Sequence, residues 1–165
     1  MTPEFTHCAL HVRDLDQSIA FYQSYCGLGI VKEHGQGDAR TVWMAQGDDD
    51  RFVLVLLGGG PDRSQGKDDM THYGFAVPSR ADVDAIAERG RREGRLFWEP
   101  QEFPPPTGYL CAVKDPSGYI IEFSFGQPLG QNRKTSPGGM RRSGAGTRRT
   151  EARKSAWPGV RKESR

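Results

Sequence analysis

The sequence has few cysteines and no long apolar run, and each absence excludes a class of protein. Its cysteines are Cys8, Cys26 and Cys111, an odd set without C-x-x-C spacing. Such a set argues against a disulfide framework and against a thiolate metal site. No run approaches the roughly 18 apolar residues of a membrane span, and the first residues lack the apolar stretch of a secretory leader. We therefore expect a cytoplasmic protein without a membrane partner.

Large apolar residues are also scarce near the C-terminus. Residues 127–165 are rich in Gly, Ser, Arg and Lys, and such a composition cannot build a packed core. They hold 11 Lys and Arg against 2 Asp and Glu, whereas residues 1–126 hold 12 against 19. We interpret 127–165 as a disordered basic tail on an acidic body. The tail would solubilise the chain or contact polyanions nonspecifically.

One short pattern occurs twice in the body. Thr6-His-Cys-Ala-Leu-His-Val12 near the N-terminus is matched by Thr71-His-Tyr-Gly-Phe-Ala-Val77. A polar break and a helical pattern follow each copy. Such an internal repeat predicts two similar units that build one site, with His7 and His72 in matching places.

Hydrophobic periodicity predicts the same order of elements in both units, β-α-β-β-β. The residues 58–69 between them are interpreted as a linker. The predicted fold class is therefore α+β, with one domain over 1–126 whose modules cover about 4–57 and about 69–126. The predicted strands are 5–12, 30–33, 41–45 and 51–57, then 71–77, 95–99, 109–113 and 119–125; the predicted helices run from Asp14 or Asp16 to about Tyr25, and from Ala81 to about Gly94.

The alternation of side chains along the strands places three ionisable residues on corresponding faces. His7 and His72 have small neighbours on their own faces, and Glu122 points away from the large apolar side chains of its strand. A buried carboxylate without a partner costs several kcal/mol, so it requires a cation or a proton. Two imidazoles and one carboxylate suit Fe(II), Mn(II), Ni(II) or Zn(II). Hydrogen-bonded core histidines and a solvated face for Glu122 would give the same pattern, and spacing alone leaves both readings open.

Two motifs resemble those of the vicinal oxygen chelate superfamily, which includes glyoxalase I, bleomycin and fosfomycin resistance proteins and extradiol dioxygenases. The opening motif runs from Thr6 through Gly29, and the closing motif is Asp115-Pro-Ser-Gly-Tyr-Ile-Ile-Glu122-Phe. The likeness covers roughly residues 4–126. It implies paired βαβββ modules curled around a metal cavity, which close within one chain or between the chains of a homodimer. It also implies that the metal ligands are His7, His72 and Glu122.

The fourth metal position of the family is where this chain departs from the pattern. Aligning the closing segments, with Asp50-Arg-Phe-Val-Leu54 over Gly118-Tyr-Ile-Ile-Glu122, places Leu54 at the position equivalent to Glu122, and leucine cannot bind metal. Glyoxalase I-like enzymes normally carry a carboxylate there, so the departure weakens a lactoylglutathione lyase assignment. Tyr109 and Trp43 are predicted either to line the cavity or to belong to the core.

These observations lead to a metal-dependent enzyme that acts on a small-molecule substrate, with dioxygenase-like or lyase/isomerase chemistry. Glu122 and His11 are its predicted catalytic groups, His11 because an imidazole suits proton transfer near neutral pH. The alternative is a metal-free drug- or ligand-binding protein of the bleomycin-resistance kind. A third option is a polyanion binder that acts through the basic tail.

Overall fold

The computed structural model of the protein describes residues 2–47, 49–66 and 68–128. Nearly all of the predicted basic tail therefore lies outside the described residues. The strands are β1 His7–His11, β2 Leu28–His34, β3 Thr41–Gln46, β4 Asp49–Leu57, β5 Tyr73–Ala76, β6 Leu96–Phe103, β7 Gly108–Lys114 and β8 Ile120–Phe125; the helices are α1 Leu15–Cys26 and α2 Arg80–Arg92, with a 3-10 turn at Gly37–Ala39.

The strands form two mixed sheets with the same topology. The first sheet has the order β1-β4-β3-β2 and the second has the order β5-β8-β7-β6. In each sheet the first strand pairs parallel with the last, and the other pairs are antiparallel. Each unit is thus β-α-β-β-β, which confirms the predicted fold class.

The predicted elements agree with the structure to within a few residues, and β6 differs most. It was predicted to end at Glu99, but its pairing with β7 continues to Phe103, which lies opposite Gly108. The pairing register shifts between Trp98 and Gln101, on either side of Pro100. A proline that donates no ladder hydrogen bond is accommodated at such a bulge on an edge strand, so it interrupts the sequence pattern without ending the strand.

Both helices begin and end at the predicted signals. The Asp14 side chain accepts a hydrogen bond from the backbone N–H of Gln17, and Gly27 ends α1 with φ of 66°. Ser79 caps α2 by accepting from the N–H of Asp82. Among the described residues, none of the helices has the length and apolar character needed to cross a membrane.

The strand register corrects the predicted counterpart of Glu122. In the second sheet, Glu122 lies opposite Gly74. The position equivalent to Gly74, two residues after the repeated histidine, is Ala9 in the first sheet, and Ala9 lies opposite Val55. The structural counterpart of Glu122 is therefore Val55.

The prediction of Leu54 for this position was wrong by one residue. An alignment of the two closing segments by sequence does not register the different turns before them, and a slip of one residue exchanges the two faces of a strand. Leu54 belongs to the core cluster that includes the buried side of α1. Valine binds metal no better than leucine, so the absence of a fourth protein ligand still holds.

Helix α1 packs against both units. The Tyr25 ring lies 6.3 Å from the Phe123 ring, and its hydroxyl donates to Glu93 at 2.8 Å. Burial and this hydrogen bond raise the pKa of Tyr25 to about 12. The Arg89 guanidinium lies over the same ring at 3.7 Å and also donates to the backbone oxygen of Ser24. These contacts hold α1 and α2 side by side.

A buried carboxylate at the turn before β8 joins the two units. Asp115 is 3% exposed and accepts hydrogen bonds from the Tyr22 hydroxyl at 3.0 Å and from the N–H groups of Ser117 and Tyr119 at 2.8 Å each. Burial raises the pKa of Asp115, while these hydrogen bonds act in the opposite direction. Because Tyr22 comes from α1, the turn motif stabilises the contact between the units as well as its own shape.

Candidate metal centre and adjoining cavity

His72 and Glu122, which the sequence predicted to share a site, lie together in the structure. His72 stands just before β5, and β5 pairs parallel with β8, which carries Glu122. Nε2 of His72 is 3.3 Å from Oε2 of Glu122. Gly74 faces the carboxylate, since a methyl group added there would lie 3.8 Å from Oε1. The small residue at this position leaves room in front of the carboxylate on the neighbouring strand.

The His72 ring is oriented by a backbone group. Nδ1 lies 2.7 Å from the carbonyl oxygen of Met70 and therefore donates its hydrogen to it. A ring held in this tautomer turns Nε2 toward Glu122. The Glu122 carboxylate raises the pKa of His72, and this effect outweighs the opposing effect of burial. The edge of the ring packs against Trp98, with 5.5 Å between ring centroids.

Glu122 is nearly inaccessible, with 2% of its surface exposed. Oε1 accepts a hydrogen bond from Nε2 of Gln127 at 3.0 Å. Oε2 is buried, and apart from Nε2 of His72 at 3.3 Å it has no polar partner among the described residues. A buried carboxylate oxygen in this state is costly unless a cation or a proton satisfies it. The pair therefore has the chemical character of an incomplete cation site.

Gln127 was not predicted from the sequence as part of the site. It follows Gly126, whose φ of 86° turns the chain just after β8. The turn brings the side-chain amide back over the sheet to Glu122. The Phe-Gly-Gln sequence at the end of a strand is the local signal for this turn, but it does not specify what the glutamine contacts.

His7 and His11 lie apart from the pair within the chain. Both are exposed on β1, and Nδ1 of His7 is 3.1 Å from the hydroxyl of Thr6. The His11 ring lies against Gly60, where an added methyl group would come within 2.8 Å of it. In the part of the chain that the structure describes, no three His, Cys, Asp or Glu side chains are placed to hold a metal ion.

Two aromatic residues predicted as possible cavity walls lie elsewhere. The Tyr109 hydroxyl donates to Asp84 at 2.7 Å and its ring lies under Arg80, so Tyr109 packs against α2. Trp43 lies on the first sheet with the ammonium group of Lys32 over its ring. Neither residue lines the cavity beside His72.

A cavity of about 1070 Å³ adjoins the His72–Glu122 pair. Its walls come from both units and include the strand β5, the inner side of α1 and the end of β8. Cys8 lines it next to Tyr73, and burial together with Cys8 raises the pKa of Tyr73. The volume lies at the upper end of the range for small-molecule sites. The arrangement thus combines a buried polar pair with a space of ligand size.

Comparisons with known proteins agree with this geometry. The family model of the Glyoxalase/Bleomycin resistance protein/Dioxygenase superfamily matches residues 4–123. The uncharacterized protein PA2024 of Pseudomonas aeruginosa is 45% identical over 138 residues, covering 83% of this chain and 99% of its own. A probable lactoylglutathione lyase of Vibrio cholerae is 27% identical, covering 70% and 86%. The glutathione transferase FosA of Serratia marcescens is 26% identical, covering 76% and 83%.

Solved structures show the same fold. The fosfomycin resistance protein FosX of Listeria monocytogenes superposes with a TM-score of 0.62 at 17% identity, covering 78% of this chain and 94% of its own. A possible glyoxalase of Bacillus cereus superposes with a TM-score of 0.54 at 26% identity, covering 74% and 99%. The chain belongs to the glyoxalase/bleomycin resistance protein/dioxygenase superfamily.

Proposed function

We propose that the protein is a metal-dependent enzyme acting on a small molecule, with a divalent cation held by His72 and Glu122 of one chain and His7 of a second copy. The single observation that carries the proposal is the buried Oε2 of Glu122, which has no polar partner among the described residues apart from Nε2 of His72. It lies beside an imidazole whose other nitrogen is bound to the Met70 carbonyl. Such an outer contact commonly fixes a metal-binding histidine.

A second copy is required because the chain alone brings only two of the three ligands together. His7 is exposed on β1, on the face of the first sheet that points away from α1. Ala9, Val53 and Trp43 lie on this face by strand register and are not buried. A symmetric dimer that covers this face would bring His7 of each chain to the pair of the other.

The chain's residues limit the chemistry. Val55 occupies the position equivalent to Glu122 and cannot bind metal, so two neighbouring substrate oxygens would complete the coordination of a bound cation. A bound cation would supply Lewis acidity that stabilises a developing negative charge on oxygen. Glu122 would serve as the base that accepts a proton from the substrate as well as a ligand. His11 shares the face of His7 and is the second acid/base candidate.

The reaction class is dioxygenase-like or lyase/isomerase. Relatives named lactoylglutathione lyase support the second of these, at 26–28% identity. The metal ion is Fe, Mn, Ni or Zn, the set that imidazole and carboxylate ligands accept.

The second candidate is a metal-free protein that sequesters an apolar ligand. The cavity of about 1070 Å³ favours this candidate, because a cavity of this size can bind a small molecule without a metal. The buried carboxylate favours the enzyme, since an apolar binder has no need of an unsatisfied charge in its wall.

Exchange of subunits between two histidine variants tests the metal site and the second copy together. Protein purified without chelator should carry about one metal ion per chain, and His7→Ala and His72→Ala should each carry less than about a tenth of that. Co-expression of the two variants should restore about a quarter of the sites, because each mixed dimer rebuilds one of its two sites. Metal content is measured by mass spectrometry, and mass in solution by light scattering.

His34→Ala is the matched control, since His34 is exposed on β2, and it should keep full metal content. If the wild-type protein carries less than about a tenth of an equivalent of metal and has no affinity for any of the four metals, the proposed metal site is refuted. The metal-free binding protein is then the remaining candidate. If both single variants lose the metal and co-expression does not restore any of it, each chain builds its metal site alone.

Gln127→Ala should weaken Mn²⁺ affinity about 10- to 100-fold, the range that the loss of an outer contact to a metal ligand costs. The reason is that Nε2 of Gln127 holds Oε1 of Glu122 and thereby directs Oε2 toward His72. Affinity is measured by calorimetric titration. Gln36→Ala, at an exposed glutamine whose side chain makes no cap hydrogen bond, is the control and should change nothing. If Gln127→Ala leaves the Mn²⁺ affinity unchanged, the contact between the Gln127 amide and Glu122 has no role in metal binding.

A further inference from the structure

We infer that the body of the ligand is uncharged and largely apolar, an inference that deepens the proposed function and rests on it for the position of the chelating end. The cavity next to His72 and Glu122 divides into two parts. Its polar part lies at that pair and at the Gln127 amide, and its larger part is bounded by Met44, Leu54 and residues like them. A ligand that fills both parts has an oxygen-bearing head and an apolar body.

The apolar part is built by the core-facing side of the first unit. Met44 is 0% exposed and Leu54 is 8% exposed, and both belong to the core cluster around α1. Phe52, at the outer end of the same side of β4, is 39% exposed, and its ring lies tilted against the Phe5 ring with 5.0 Å between the ring centroids. The cavity therefore extends from the polar pair into the hydrophobic interior, where only apolar groups gain from burial.

The charge of the walls excludes an anionic body. Of the described residues that line the cavity, none is Lys or Arg, and the ionisable groups with charge near neutral pH are His72 and Glu122. A carboxylate or phosphonate placed in the apolar part would lose its hydration without gaining a cation, which costs several kcal/mol. A tripeptide such as glutathione carries two carboxylates and therefore does not fit this part.

The ligand inferred for this chain differs from the tripeptide in the names of some of its relatives. The lactoylglutathione lyases and the glutathione transferase FosA are named for that tripeptide. The chain is 27% identical to the first of these relatives and 26% identical to the second. The chemistry expected here is that of an uncharged compound with neighbouring oxygens on an apolar skeleton, such as an alkylated aromatic diol.

Three competitors that share one hexyl chain test the inference. Fluorescence of the uncharged probe N-phenyl-1-naphthylamine reports occupancy of the cavity in the full-length protein. 4-Hexylcatechol and 4-hexylresorcinol should displace the probe at concentrations at least about 10-fold lower than S-hexylglutathione does, because only the last carries charges into the apolar part. Phe52→Glu should weaken the binding of the probe at least about 10-fold. Ile30→Glu, equally exposed at 39% but outside the cavity lining, is the matched control and should not.

The two diols separate this inference from the proposed metal site. They differ only in whether the oxygens are neighbours, so an advantage of the catechol that appears with Mn²⁺ and disappears with chelator supports the metal site. Displacement by both diols without such an advantage supports the apolar cavity and contradicts the metal. Equal or stronger displacement by S-hexylglutathione overturns the inference, and would point to basic side chains such as Lys32 on the first sheet. No binding of the probe, or equal binding in Phe52→Glu, overturns it as well.

Discussion

Glu122→Gln should lower the affinity for Mn²⁺ by at least about 100-fold, more than the loss of an outer contact to a metal ligand costs, while leaving the metal-free protein at least as stable as wild type. Both effects, on metal affinity and on stability, arise at the same carboxylate oxygen. Oε2 of Glu122 is the proposed ligand, and a neutral amide is a much weaker ligand for a divalent cation than a carboxylate. In the metal-free protein at a pH above the pKa of His72, the same atom is a buried acceptor beside a neutral imidazole at 3.3 Å, so removing its charge relieves a desolvation cost.

The amide also keeps the shape of the side chain. An oxygen remains to accept the hydrogen bond from Gln127, and the amide nitrogen takes the place of Oε2 beside His72. Affinity is measured by calorimetry, and stability by urea unfolding in chelator. Glu33→Gln on the exposed strand β2 is the control and should change neither. A Glu122→Gln protein that retains wild-type Mn²⁺ affinity would refute the proposed ligand. A loss of more than about 2 kcal/mol in metal-free stability would show that the carboxylate stabilises the fold.

Asp115→Ala should destabilise the protein by about 3 kcal/mol or more. The substitution leaves the buried Tyr22 hydroxyl and the N–H groups of Ser117 and Tyr119 without their acceptor. Asp115→Asn should cost less, about 1 kcal/mol, because its carbonyl oxygen still accepts from one of the N–H groups. For a domain of this size, 3 kcal/mol lowers Tm by roughly 6–12 °C. The measurement is thermal or urea unfolding of the metal-free protein.

The structure offers a matched control for this change. Asp84 also accepts one hydrogen bond from a tyrosine, Tyr109, at 2.7 Å, but the pair lies at the exposed surface. Asp84→Ala should therefore change stability by no more than about 0.5 kcal/mol, since water replaces the lost partner. Equal effects of Asp115→Ala and Asp84→Ala would mean that the turn before β8 does not join the two units.

The local features of the fold were predictable because their causes are local. The cap at Asp14, the glycine after α1 and the alternation along β8 each depend on a few neighbouring residues. The repeated Thr-His pattern predicted two equal units, and the sheets have the same strand order. The end of β6 was predicted too early, at Glu99. A bulge accommodates Pro100 within the strand, and hydrophobic periodicity does not predict bulges.

The candidate site was predictable only in part. The juxtaposition of His72 and Glu122 followed from the alternation of two strands in one unit. The counterpart of Glu122 depended on pairing between β1 and β4, and an alignment of the closing segments gave Leu54 where the register gives Val55. The Gln127 contact depends on a turn that brings a side chain back over the sheet, and no spacing rule describes it.

By itself, the sequence determined the superfamily, the order of the elements and the faces on which the imidazoles and the carboxylate lie, because all of these follow from patterns over a few residues. Only the tertiary structure decided that His7 is exposed on the other sheet, apart from the His72–Glu122 pair that the sequence predicted. The sequence also did not predict the apolar cavity, whose described walls contain no lysine or arginine. Both outcomes depend on how two sheets and two helices pack, and packing is set by contacts between residues far apart in the chain.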